Sequence, residues 1–181
     1  MSIGEDIKKA VVGAVEGVGE AGSALIEAVG KVATSALEGV QEVGSEAISV
    51  PAELVQSAIK SLGEVGKTGA ESIQNVITGI AEAVEKSTID TTKGITDIAR
   101  QGLESAHEAG SDLGEAAVSV VRGSINGVRQ AGGDTAQALE SAVTGVLNGA
   151  KKISTEAVDT VSDALGEAIS ESKEVIGRVL K

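Results

Sequence analysis

IGEDIKKAVVGAVEGVGEAGSALIEAVGKV, from Ile3 to Val32, sets the pattern for the whole chain. Its stripe advances by steps of three and four: Ile3, Ile7, Val11, Val15, Val18, Gly22, Leu25, Val29, Val32. Eleven residues make three helical turns at 3.67 residues per turn, close to the natural α-helix. The stripe therefore runs almost straight along a helix. Counted modulo 11, the phases of Ile3, Gly4, Ile7, Ala10 and Val11 cover nearly half of the 181 positions, and none of the 27 acidic or 15 basic residues falls in them. The same phase reaches Leu165, Ile169, Ile176 and Leu180. This pattern predicts an all-α protein: long hendecad amphipathic helices forming a coiled-coil or helical-bundle assembly. Residues 1-181 read as a single continuous helical repeat region with no separate globular domain.

Composition narrows the function. The chain has no Trp, Tyr, Phe or Cys and carries a net charge of −12. Aromatic side chains line most ligand pockets, so no small-molecule substrate or cofactor is expected. Without cysteine there is no disulfide, thiolate metal site or cysteine nucleophile. Acidic excess argues against a nucleic-acid partner. The start, Met1 to Asp6, lacks the basic and apolar regions of a signal peptide. No stretch has the length and apolarity of a transmembrane helix. A cytoplasmic or other intracellular location is the default expectation.

Two features predict how the stripe is used. Its rows Ile7, Val18, Val29, Val40, Leu62, Ile73, Val84 and Ile95 form the expected assembly face, with small residues such as Gly17, Ala28 and Gly39 along one edge. Its middle alternates bulk and gaps: Val11, Gly22, Ala33, Gly44, Val55, Gly66, Ile77, Thr88, Ala99, Gly110, Val121, Gly132, Val143, Ser154, Leu165. The gaps recur every 22 residues, roughly 33 Å along a helix. Gly22, Gly44, Gly66, Gly110 and Gly132 are thus expected to be close-packing notches for a neighbouring helix. Breaks are signalled near 49-51, where Pro51 is the only proline, and near 87-92, 110-112 and 132-134. Because the 11-residue phase passes through all four, kinks in a long rod are expected more than hairpins. The 24 glycines cost about 0.8–1 kcal/mol each in helix interiors. Order must therefore come from covering the apolar face.

Apparent catalytic motifs do not hold up. Gly17-Val18-Gly19-Glu20-Ala21-Gly22 spells a dinucleotide fingerprint but follows the helical repeat, with no preceding strand. Ser57-Ala58-Ile59-Lys60 spells SxxK without its companion motifs. His107 is the only histidine and has no second ligand for a metal. The reading is non-enzymatic, with no catalytic, cofactor-binding or metal residues.

In repeat type the chain resembles the 11-residue amphipathic proteins: perilipins, synucleins and late-embryogenesis-abundant proteins. Thr88-Ile89-Asp90-Thr91-Thr92-Lys93-Gly94-Ile95-Thr96-Asp97 looks like a perilipin repeat in its Ile, Thr, Gly and Asp/Lys alternation. That resemblance implies a peripheral coat on lipid droplets or membranes, or a stress protectant. The acidic polar face and the 22-residue alternation depart from a lipid coat. The leading expectation is a structural protein that partners itself, joining through the hendecad face into a bundle, stalk or filament. A lipid surface is the alternative partner.

Overall fold

A computed structural model describes residues 3–17, 22–41 and 49–181. Among them are nine helices and no strand: α1 (Ile3–Gly17), α2 (Gly22–Gln41), α3 (Val50–Glu64), α4 (Ala70–Lys86), α5 (Thr91–Glu108), α6 (Leu113–Gln130), α7 (Thr135–Ile153), α8 (Thr155–Ala168) and α9 (Ser172–Val179).

The breaks read from sequence are the helix ends. Pro51 occupies the first turn of α3, where its missing N–H is not needed. Asp90, Asp112, Asp134 and Ser154 cap the following helices by accepting backbone N–H bonds from Lys93, Glu115, Ala136 with Gln137, and Ala157. Gly110 and Gly132 have φ of 82° and 81°, a conformation that a side chain disfavours. Around Gly110, the Ser111 N–H donates to the Ala106 carbonyl and the Gly110 N–H to that of His107. The same pair of bonds closes α6 at Gly132 and α3 at Gly66. These are Schellman endings, which satisfy the last carbonyls and turn the chain away.

The expectation of kinks in a rod is corrected here: the chain reverses. Gly94 of α5 packs on Val84 of α4, and Gly102 lies beside Ile77, so these neighbours run antiparallel. Helices two apart run parallel. Gly123 and Gly127 of α6 face Gln74 and Thr78 of α4, and Gly145 and Gly149 of α7 face Thr96 and Arg100 of α5. Odd-numbered helices therefore form one row and even-numbered helices another. The most extensive contacts include α4 with α6, α5 with α7 and α2 with α4. One apolar core runs between the rows from Ile7 to Val175.

A helix and its turn together occupy about two hendecads. Each reversal therefore brings the stripe back to the same inward orientation, and an unbroken phase cannot distinguish a rod from a folded stack.

Candidate interaction surfaces

The predicted assembly face is interior. Ile7, Val29, Leu62, Val84 and Ile95 are wholly buried and Ile73 is 1 % exposed, all within one chain. They meet other helices of the same molecule. Val18 and the Val40 side chain lie outside the described residues. Leu180 is the one strongly exposed large apolar side chain among the described residues.

The predicted notches are not close contacts. Gly66, Gly110 and Gly132 lie in the turns, where an added Cβ would meet nothing within 4 Å. Gly22 opens α2, and a Cβ there would make only ordinary contacts, 3.6 Å from Asn75 Nδ2. Gly44 lies outside the described residues. The 22-residue alternation thus marks turns: Thr88 falls in the α4–α5 turn, and Ser154 is the single residue between α7 and α8.

The close contacts fall elsewhere. A Cβ on Gly79 would lie 2.7 Å from the Ile26 carbonyl oxygen, and one on Gly123 would lie 2.6 Å from that of Gln74. A Cβ on Gly127 would strike the Thr78 carbonyl and lie 2.7 Å from Glu82 N, and one on Gly145 would strike the Thr96 carbonyl. Backbone atoms cannot move aside as a side chain can, so these glycines fix the approach of one layer to the next. They sit on the polar flank of the stripe. Their trace in the sequence is the four-residue spacing of Gly123 with Gly127 and of Gly145 with Gly149.

Ion pairs also join layers in the odd row. Lys8 of α1 meets Glu64 of α3 at 2.5 Å, Lys152 of α7 meets Glu104 of α5 at 3.2 Å, and Arg178 of α9 meets Glu140 of α7 at 3.2 Å. The hydrogen bond and charge of Lys8 hold the Glu64 carboxyl below its ordinary range. Lys31 acts similarly on Glu27 within α2. Most of these groups are exposed, so each pair adds little stability.

The surface has shallow grooves. One of about 510 Å³ follows α2 and α4 and is bordered by the pairs Glu27–Lys31 and Glu82–Lys86. Another of about 620 Å³ crosses α4, α6 and α8, with Arg122 among Glu71, Glu115 and Glu167. A third, also about 620 Å³, lies between α1 and α2. No cluster of three metal-ligating side chains occurs among the described residues. His107 is exposed in the last turn of α5, and Ser57 and Lys60 lie within α3. The GxGxxG stretch crosses residues outside those described. No described helix is long and apolar enough to cross a membrane.

Stacked antiparallel helices in two rows are the geometry of a helical repeat. The fold is of that type. The crystal structure of a de novo designed helical repeat protein is similar, with a TM-score of 0.55 and 18% identity over 97% of this chain and 95% of that one. No family model matches the chain. No curated protein matches it either.

Proposed function

We propose that this chain is a non-enzymatic structural element: a stack of helical layers that acts as a spacer and associates with further copies of itself. The association uses what the stack leaves exposed, because the hendecad face is occupied within the chain. The observation carrying this reading is the use of glycine. Glycines cost helix stability, yet Gly79, Gly123, Gly127, Gly145 and Gly149 stand where layers touch backbone to backbone. Such contacts serve a fixed helix-on-helix geometry and have no value against a fluid surface.

The lipid-coat reading keeps one supporting observation. The stripe stays free of charge through the turns, at Gly66, Thr88, Gly110, Gly132 and Ser154. An opened chain would therefore present one continuous apolar face. Circular dichroism and sedimentation, with and without a neutral-lipid emulsion, separate the two. Helix and oligomer in plain buffer support the structural reading. A chain that gains helix only with lipid, and floats with the emulsion, overturns it in favour of the coat.

A further inference from the structure

We propose that Asn126 and Asn148 are latent modification sites. Protected in the closed stack, they deamidate when it opens, and the isoaspartate formed there keeps the opened helices from packing again.

First, the sequence supplies the chemistry. The chain has three asparagines, Asn75, Asn126 and Asn148, and glycine follows the last two. In the reaction, the backbone nitrogen of the following residue attacks the asparagine Cγ. An N–Cγ bond forms, and the carboxamide nitrogen leaves as ammonia, taking the proton of the attacking N–H. Water then opens the cyclic imide, adding its hydroxyl to one of the two carbonyl carbons and its proton to the nitrogen. One opening gives aspartate. The other gives isoaspartate, whose main chain runs through the former side chain. Glycine leaves the attacking nitrogen unhindered and the backbone free to turn. Val76 after Asn75 is β-branched and has the opposite effect.

Second, the folded stack blocks the step. Asn126-Gly127 lies inside α6 and Asn148-Gly149 inside α7. A mid-helix N–H is tied to the carbonyl four residues back, and helical ψ keeps the nitrogen out of line with Cγ. Arg129 Nη1 donates to Asn126 Oδ1 at 3.3 Å and holds the carboxamide toward the next turn. Gly127 and Gly149 are buried, away from the water that the second step consumes.

Third, both dipeptides stand where a changed main chain matters. A Cβ on Gly127 would lie 2.7 Å from Glu82 N, and one on Gly149 would lie 3.0 Å from the Arg100 carbonyl oxygen. An isoaspartyl link adds a methylene to the backbone immediately before these contacts. It breaks the helical register and pushes α6 off α4 and α7 off α5. The added charge is not the cause. At two-hendecad steps the same position carries Glu82 in α4 and Glu104 in α5, so a carboxylate is accepted there.

The test ages the full chain in neutral buffer, folded and in guanidinium chloride, and reads each asparagine by peptide mapping with isoaspartate quantified. In denaturant, Asn126 and Asn148 are expected to react while Asn75 lags well behind. In the folded chain both should react at least about 30-fold more slowly, a ratio set by the population of open states. Chains aged in denaturant and returned to buffer should recover helicity, by circular dichroism, only in proportion to their isoaspartate-free fraction. An Asn126→Asp, Asn148→Asp variant should fold like wild type. Equal rates in the folded and unfolded chain would overturn the gating. An Asn75 as fast as the other two would overturn the choice of sites. Isoaspartate-bearing chains that regain full helicity and melting temperature, or an aspartate variant that fails to fold, would overturn the proposed consequence.

Discussion

Gly145→Ala and Gly13→Ala are the same substitution at equivalent positions, three four-hendecad steps apart. Both replace glycine inside a helix, which alone should add about 0.8–1 kcal/mol of stability. At Gly13 the new methyl meets nothing within 4 Å, so that gain should appear as measured. At Gly145 the methyl lands on the Thr96 carbonyl oxygen, 2.7 Å from Ala99 Cβ and 3.1 Å from Arg100 N. None of these atoms belongs to a flexible side chain. To restore ordinary contact, α5 and α7 must separate by most of an ångström. That would also loosen Gly149, whose Cβ position lies 3.0 Å from the Arg100 carbonyl one turn on. Overfilling of this kind costs about 1–3 kcal/mol. The propensity gain is common to both variants, so the difference between them isolates the contact at about 1–3 kcal/mol. Urea unfolding at a dilution where the chain is monomeric reads this as a shift in midpoint at constant slope. Equal stabilisation of both variants would show that α5 and α7 do not approach as described, and the argument from glycine would fail.

Further outcomes follow from other parts of the stack. Gly110→Ala should lose about 1–2 kcal/mol by forcing a side chain into a left-handed conformation, although it meets no neighbour; denaturant midpoints check this. Asp134→Ala removes the acceptor for two backbone N–H groups at the start of α7 and should cost about 0.5–2 kcal/mol, measured the same way. Deleting residues 91–134 joins Asp90 to Thr135, so one capping aspartate replaces another and the phase is preserved. The shortened chain should keep its helicity per residue and unfold cooperatively, whereas deleting 91–129 shifts the phase and should not. The Lys8–Glu64 pair lowers the folded carboxyl pKa below its unfolded value. Its small stabilisation is therefore present at neutral pH and lost as pH falls through the folded value. Lys8→Met should flatten the acid limb of stability against pH slightly, as read from melting temperatures across that range.

Helix, inward face and breakpoints were legible in the sequence, each for a local reason. Avoidance of one stripe by every charge dictates which side of each helix leaves water, and Ile7, Val29, Leu62, Ile73, Val84 and Ile95 are indeed buried. Capping chemistry placed helix ends near Pro51, Asp90, Asp112 and Asp134. What covers the stripe was not legible. A hydrophobic pattern records that a face needs covering, and burial is indifferent to whether the cover is lipid, another chain or the next helix. The 22-residue period suited both a row of notches and a row of turns, because a helix with its turn spans about two hendecads and returns the stripe to the same orientation. Only the tertiary structure assigned Gly66, Gly110 and Gly132 to turns and found the close contacts at Gly79, Gly123, Gly127, Gly145 and Gly149. Those glycines matter for the atoms opposite them, some 50 residues away in sequence, and a local spacing such as that of Gly123 with Gly127 does not say which atoms those are.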